Sequence, residues 1–510
     1  MALLQVATDL ILGNITATLI FLIVFCVLWK YLQPSSYVLP PGPRPWPVVG
    51  HLHMFSPFGE VGPHERIWDL AKQYKSKTIG LYLGPYYAMM LHDYDDVKKM
   101  FAMDEFSGRG NVPFWKIFLG GLVGSDGPRW KEQRRFSLST LRDFGLGKNK
   151  LEKIIHAEAE HLFEVFDSYK GKPKDISIVI NNVVSNIICS LIFGHRFDYD
   201  DPTFVHMLEL MEENFNKNLF PVSIGSMTPG LKYLDKILPG DIFKFRRTVE
   251  VMNEMRTTVI KTEYESHKAK YDPNIIEDYI DAFYKEVKAR EGKEQTEEHW
   301  FTEKQLNMNI EDLFQVGTET TTTSLKWIIL YMMHFPEIQE KVRAEIHNVI
   351  GHDRLPSMRD KTDLPFTEAV FTEVQRKQVI LPLSIGNCTF DKPTEFEGYV
   401  LPPYTRIYAN IHAIHHDPEY WKEPDKFIPE RFLDKDGKYC ADERMLTFST
   451  GKRACLGEGL ARMELFIFAT AILQKYRLVK SEKAPLPPLR FLKGSSTFIP
   501  QPYEVCLIRV

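Results

Sequence analysis

Twenty consecutive residues without a formal charge, Leu10 to Trp29, divide this chain into two unequal parts. The run ends in the dense apolar string ITATLIFLIVFCVLW. A bilayer core is crossed by about 20 helical residues at about 1.5 Å each, so the run has membrane-spanning length. A secretory leader is the competing reading. Against it, the run is longer than a leader's apolar core, no basic stretch precedes it and no small-residue cleavage site follows. An uncleaved transmembrane helix within residues 1–31 is therefore expected. Lys30 and Arg44 lie on one side and Asp9 on the other, and the positive-inside bias then places the body of the chain in the cytosol. Asn14-Ile-Thr16 is a glycosylation sequon inside the span and is read as accidental.

Pro40 to His51, PPGPRPWPVVGH, reads as the core of a semi-rigid extended spacer over residues 32–51. Residues 52–510 are expected to form one large domain. A net charge of −4 gives no footprint for nucleic acid. Six cysteines without a CxxC pair exclude a disulfide scaffold and read as reduced thiols. Leu151, Ile155, Ala159, Leu162, Phe166 and Tyr169 recur at helical spacing. The charged stretch KEVKAREGKEQTEEHW, ending at Trp300, reads as a solvated connection. Thr302-x-x-Gln305 is a capping box that opens a long helix through about Tyr331, and Pro336 starts another. Past Leu381, short alternating runs such as EFEGYVLPPYTRIYANI, and the terminal YEVCLIRV, suggest a small sheet. The fold class is mainly α with a minor β region (α+β).

Two segments carry chemistry. In FSTGKRACLGEGLAR, from Phe448 to Arg462, a glycine-punctuated loop delivers Cys455 to the start of an amphipathic helix. An arginine nearby and a helix N-terminus should depress the thiol pKa. Gly451 and Gly457 allow a tight backbone and the close approach of a flat ligand. The residues alone fit an iron-bound thiolate, a cysteine nucleophile or a structural cysteine in a capping loop. The second segment, Val316-Gly-Thr-Glu-Thr-Thr-Thr-Thr323, lies inside the long helix and gives up roughly 4 kcal/mol of helix propensity. Val316, Gly317 and Thr320 share one face. Gly317 leaves room for a cofactor to press against the helix, and a Thr hydroxyl bonding back to the i−4 carbonyl bends it. A poorly packed Thr-rich helix with an exposed Glu319 is the plain alternative.

The first segment resembles the haem-binding loop of the cytochrome P-450 superfamily at Phe448, Gly451, Arg453, Cys455, Gly457 and Ala461. The second is similar to its oxygen-binding helix at Gly317, Glu319 and Thr320, departing at Val316, whose bulk should narrow the distal pocket. Glu373-Val-Gln-Arg376 and Arg431 match a buried structural network of that family. Trp130-x-x-x-Arg134, with Arg453 and Arg109, matches its donors to the haem propionates, while Asn387 stands where His or Arg is usual. The resemblance runs from the proline-rich segment to the C-terminus and is nearest the microsomal animal branch that oxidises steroids, fatty acids and drugs. It implies the P-450 fold and haem b ligated by Cys455, with Thr320 and Glu319 assisting protonation. Electrons would come from NADPH through a flavoprotein reductase docked near Lys131, Arg135 and Lys452, with cytochrome b5 a second candidate donor. The implied reaction is O2-dependent hydroxylation or epoxidation of a lipophilic small molecule (steroid, terpenoid, fatty acid or xenobiotic) at the endoplasmic reticulum membrane, in contact with lipid. An isomerase or dehydratase working without O2, and a non-catalytic carrier of lipophile or haem, are the alternatives. Substrate contacts are expected from 111–121, 215–224, Val316, 380–385 and the turn near Ser496. His412-x-x-His415-His416-Asp417 resembles a family loop that binds no metal, and Asn387-Cys-Thr is a sequon only formally.

Overall fold

A computed structural model describes residues 35–510 except 57–58, 60, 111–119, 145–148, 215–218, 228–239, 292–299 and 494–496, together with residues 15, 17 and 18. Apart from residues 15, 17 and 18, the expected anchor helix thus lies outside the described residues, as do Phe215, Ser496 and most of 111–121. Among the described residues no helix is long and apolar enough to cross a membrane.

In chain order the helices are α1 (Pro63–Tyr74), α2 (Tyr94–Ala102), α3 (Gly127–Asp143), α4 (Asn149–Ser168), α5 (Ser177–Ile192), α6 (Pro202–Glu212), α7 (Leu219–Met227) and α8 (Phe245–Met255). There follow α9 (Lys261–Lys270), α10 (Tyr279–Arg290), α11 (Glu303–His334), α12 (Pro336–Val349), α13 (Pro365–Lys377), α14 (Ile411–His415) and α15 (Glu458–Lys475). Strands β1 (Thr78–Leu83), β2 (Tyr86–Leu91), β3 (Asn387–Cys388) and β6 (Arg406–Ala409) form one sheet in the order β1-β2-β6-β3. Within it β2 and β6 run parallel, and the other neighbours are antiparallel. The hairpin β4 (Thr394–Phe396)–β5 (Tyr399–Leu401) and the pair β7 (Tyr476–Lys480)–β8 (Val505–Arg509) stand apart.

The largest apolar cluster runs through α4, α5, α11 and α15. Leu151, Ile155, Ala159, Leu162 and Phe166 line one buried stripe of α4, while Tyr169 lies beyond its end and still packs on the cluster. Helix α11 is fixed at its start by the Thr302 hydroxyl, which accepts the Gln305 N–H at 3.2 Å. The return half of the expected capping box is not made, because the Gln305 side chain turns to Arg129 and Asn309. Pro336 opens α12 as expected. Two expectations are corrected. The run KEVKAR is the end of α10 rather than a connection, with Lys288 and Arg290 in the last turn, where the helix dipole favours cations. The proline-rich segment, expected as a semi-rigid spacer, is tied to the body. Pro41 O accepts the Gly80 N–H at 2.8 Å, Val38 O accepts the Val400 N–H at 2.8 Å and Tyr82 O accepts the His51 N–H at 2.6 Å, so it is laid along β1 and β5. Strands β1 and β2, turning at Gly84, were not anticipated from the sequence.

Helix α15 packs along α11 and buries Glu464 completely. Among the described residues neither carboxyl oxygen has a hydrogen-bond partner of good geometry, and Thr321 is the side chain that favours its charged form. Burial pushes this acid up from 4.5 to about 8. Between these values the folded state keeps a proton that the unfolded state releases, so this contribution to stability falls as pH rises. Glu464→Gln should remove a slope of up to about 1.4 kcal/mol per pH unit across that window, measured by urea unfolding from pH 5 to 8.

Candidate functional site

Cys455 lies three residues before α15, in a loop whose shape is set by backbone contacts. Gly451 has φ +74°, and a Cβ there would sit 2.1 Å from Phe101 O at the end of α2. This glycine therefore answers to α2, not to a flat ligand. An added Cβ at Gly457, by contrast, meets no atom within 4 Å. The Cys455 N–H donates to Phe448 O at 2.9 Å, Arg134 Nη2 donates to Ala454 O at 2.5 Å and the Arg462 guanidinium lies 4.8 Å above the Phe448 ring. The Cys455 side chain is accessible, yet burial pushes its thiol pKa up, as for a group lining a cleft inside the body. This corrects the expected depression. Arg134 and the N–H groups of Gly457 and Glu458 do favour the thiolate, but burial outweighs them and the Glu458 charge opposes them.

Beside this loop the fold collects guanidinium groups. Arg453 donates to Ser107 O and Ser125 O, both at 2.7 Å, and lies 3.7 Å above the Trp130 ring. Arg109 donates to Val123 O and Gly386 O at 2.9 Å and to Asn387 Oδ1 at 2.5 Å. Burial and the mutual repulsion of Arg109, Arg134 and Arg453 lower the proton affinity of Arg453, and Asp126 alone opposes this. Two buried donors, Arg453 Nη1 and Asn387 Nδ2, have no partner among the described residues. Buried cations and orphaned donors are costly unless matched by anions. The group thus fits a ligand bearing carboxylates, such as the propionates of haem, and a metal ion would deprotonate the neighbouring thiol. Asn387, which departs from the usual residue, still offers a donor here. Asp126, Ser107 and Ser125 carried no sequence signal.

On α11, Val316, Gly317, Glu319, Thr320 and Ser324 are half-buried among neighbours that are mostly buried. Thr320 Oγ1 donates to Val316 O at 2.8 Å and Ser324 Oγ to Thr320 O at 2.9 Å, the expected back-bonding, although the helix stays continuous. Gly317 does not leave room for a cofactor. A Cβ there would meet Ile188 Cδ1 of α5 at 2.7 Å, so its bareness serves helix packing. Glu319 accepts a hydrogen bond from Thr497 Oγ1 at 3.1 Å, and burial raises its pKa.

Glu373 and Arg376 are both 0% exposed and pair at 2.6 Å and 2.8 Å, with Arg431 Nε 3.4 Å from the same carboxylate. Lys131 and Lys452 both lie on Asp104, at 3.6 Å and 2.7 Å. His64, Glu65 and His412 come close enough to suggest a metal site. However, Glu65 is engaged by the Gly62 N–H at 2.8 Å, and His412 is stacked on His416, with ring centroids 4.0 Å apart.

Residues 40–507 match the family model described as Cytochrome P450. The chain is 37% identical over 480 residues to cytochrome P450 2H2 of Gallus gallus, covering 92% of this chain and 93% of that protein. It is 36% identical to cytochrome P450 2B19 of Mus musculus, covering 97% and 98% of the two chains. Cytochrome P450 2F3 of Capra hircus is likewise 36% identical, over 96% and 98%.

The Gly317 contact sets one effect against another. Alanine gains about 1 kcal/mol of helix propensity, but overpacking costs typically about 1–3. Gly317→Ala should therefore lower the unfolding midpoint in urea, and the drop should be much smaller when both partners of the comparison carry Ile188→Ala, whose own cavity cost then cancels. Equal effects with and without Ile188 would show that the contact is not limiting.

Proposed function

The chain belongs to the cytochrome P450 family, and we propose from that premise that the Cys455 thiolate would hold the iron of a haem b, with the 448–457 loop and α11 supplying the residues around it. The protein is a monooxygenase that places one atom of O2 on a lipophilic small molecule, with electrons passed from NADPH by a reductase. Haem, when bound, supplies the electron transfer and oxygen activation; the chain's own residues do the rest. The observation that carries this placement is the surplus of buried positive charge around Asp126, with Arg453 Nη1 and Asn387 Nδ2 unpartnered beside the Cys455 loop.

Arg453, Arg109 and Arg134 would bind the propionates, with Trp130 bearing the Arg453 guanidinium on its face. Phe448 and Gly451 give the loop its shape, and Gly457 leaves open the space beside Cys455 through which a flat ligand would approach. Thr320 holds its hydroxyl proton on Val316 O and must leave that carbonyl to serve a reacting oxygen. Glu319, with its raised pKa, can hold a proton nearer neutral pH and pass it inward. Gly317 sets how closely α11 meets α5. Glu373, Arg376 and Arg431 are structural. Residues 120–121, 219–224, Val316 and 380–385 are the described part of the expected substrate-contacting surface.

The apolar run in residues 1–31 is read as a single-pass anchor in the endoplasmic reticulum membrane. Residues 32–51 then form the approach to the body and 52–510 the catalytic domain, facing the cytosol. Trp46, Val48 and Val38, exposed at 64%, 60% and 58%, support contact of this approach with membrane lipid. Lys131, Arg135 and Lys452, with Asp104 among them, form the surface on which an acidic reductase, or cytochrome b5, would dock. Nothing favours a nucleic-acid partner.

The test is the difference spectrum of the reduced, CO-bound protein. A strongly red-shifted Soret band is expected, and Cys455→Ser should abolish it; a band typical of histidine ligation would refute the placement. Thr320→Ala should lower product per NADPH consumed by about 10-fold or more, with peroxide released instead. Turnover without NADPH would instead favour an isomerase or dehydratase, and no turnover at all with a normal spectrum a carrier.

A further inference from the structure

The acid on α11 does not rest against its sequence neighbour. Thr320 spends its hydroxyl proton on Val316 O, and Glu319 is held from outside the helix, by Thr497 of the C-terminal segment. That residue is firmly placed. Thr497 is 3% exposed. The Phe498 N–H donates to Ile380 O at 3.0 Å and the Ile499 N–H to Thr497 O at 2.8 Å. Trp327 Nε1, about two turns along α11 from Glu319, donates to Phe498 O at 2.8 Å. One helix therefore grips this segment twice, by its backbone at Phe498 and by its side chain at Thr497.

We propose that Thr497 is a positioning residue for proton delivery, its hydroxyl holding the Glu319 carboxyl in place and setting how readily that acid releases its proton. The proposal rests on reading Glu319 as the proton-carrying acid. A donor on a carboxylate favours the charged form, so Thr497 works against burial, as do Thr323 and Lys326 of α11, whereas Glu212 of α6 works with it. Lys326 itself faces Glu319, Glu212 and Asp175. Among these groups Thr497 alone belongs to the C-terminal segment, near the turn expected to contact substrate. The acid's proton affinity is thereby tied to the position of that segment.

The experiment is an infrared pH titration of the haem-loaded full chain. Each Thr497 variant is compared with the same variant carrying Glu319→Gln, so that Glu319 is separated from Glu311, Asp312 and Glu464, whose values of about 7, 8 and 8 also fall near neutrality. Thr497→Val should move the Glu319 midpoint up by roughly one pH unit, as expected for loss of one charge-assisted hydrogen bond. The pH profile of product per NADPH should move with it. Thr497→Ser should titrate like the parent, and Thr497→Ala provides a second donor-free variant if valine disturbs packing. A parent-like midpoint in both donor-free variants, or a serine variant displaced as far as they are, overturns the proposal. Should Glu319→Gln couple NADPH to product as the parent does, the underlying reading of Glu319 falls, and the proposal with it. If Glu319→Gln uncouples while the donor-free variants match the parent, only the role of Thr497 is lost.

Discussion

The ion pair between Glu373 and Arg376 has no contact with water, and the chain that leads to Cys455 is assembled on it. The remaining donors of Arg376 reach His415 O at 2.7 Å and Pro424 O at 2.8 Å. The carboxylate takes the Ile428 N–H at 3.0 Å and faces Arg431, which in turn holds Glu423 O at 2.7 Å. His415 passes the constraint onward, because its Nε2 accepts the Leu446 N–H at 2.8 Å, two residues before Phe448. A segment with little regular structure is thus pinned at several carbonyls and amides to one rigid helix. Breaking a buried pair of this kind costs about 3–5 kcal/mol, since the surviving charge stays buried.

The second constraint is a deliberate imbalance. Arg109 and Arg453 face the single carboxylate of Asp126, with Arg134 near enough to repel both, an arrangement that self-repulsion would disperse were the backbone not holding it. The carbonyls of Ser107, Ser125, Val123 and Gly386 do the holding, each accepting a charge-assisted hydrogen bond of the stronger kind. Cation-binding carbonyls come from segments far apart in sequence, so the site exists only when the sheet, α3 and the cysteine loop have docked.

What could be read in advance follows the range of the interaction. The stripe on α4, the Thr302 start of α11 and the terminal strand are local patterns, and they are present in the fold. Thr320 bonding back to Val316 is equally local and was also legible. Gly317 was misread because a missing side chain does not say which neighbour requires its absence; the answer, Ile188, lies on another helix. The thiol of Cys455 was misjudged for a related reason, since the helix end is visible in sequence and burial is not. Asp126 meets Arg453 across 327 residues and Thr497 meets Glu319 across 178, and no spacing rule finds such pairs. The proline-rich segment showed its extended conformation but not that Gly42 lets it lie against Gly80.

The burial of Glu464 between α11 and α15 belongs to a wider pattern. Histidine is ordinarily the side chain that titrates near neutrality, but His64, His412 and His415 are driven by burial to about 2, 3 and 3. They remain uncharged wherever the protein works. Carboxyl groups take over that range instead: Glu311, Asp312 and Glu464 lose their protons only near 7 to 8. A modest acidification therefore removes charge from the interior rather than adding it. The cost falls on Arg256, whose two hydrogen bonds to Glu311 lose their charged partner, so mild acid acts here on an ion pair and not on these imidazoles.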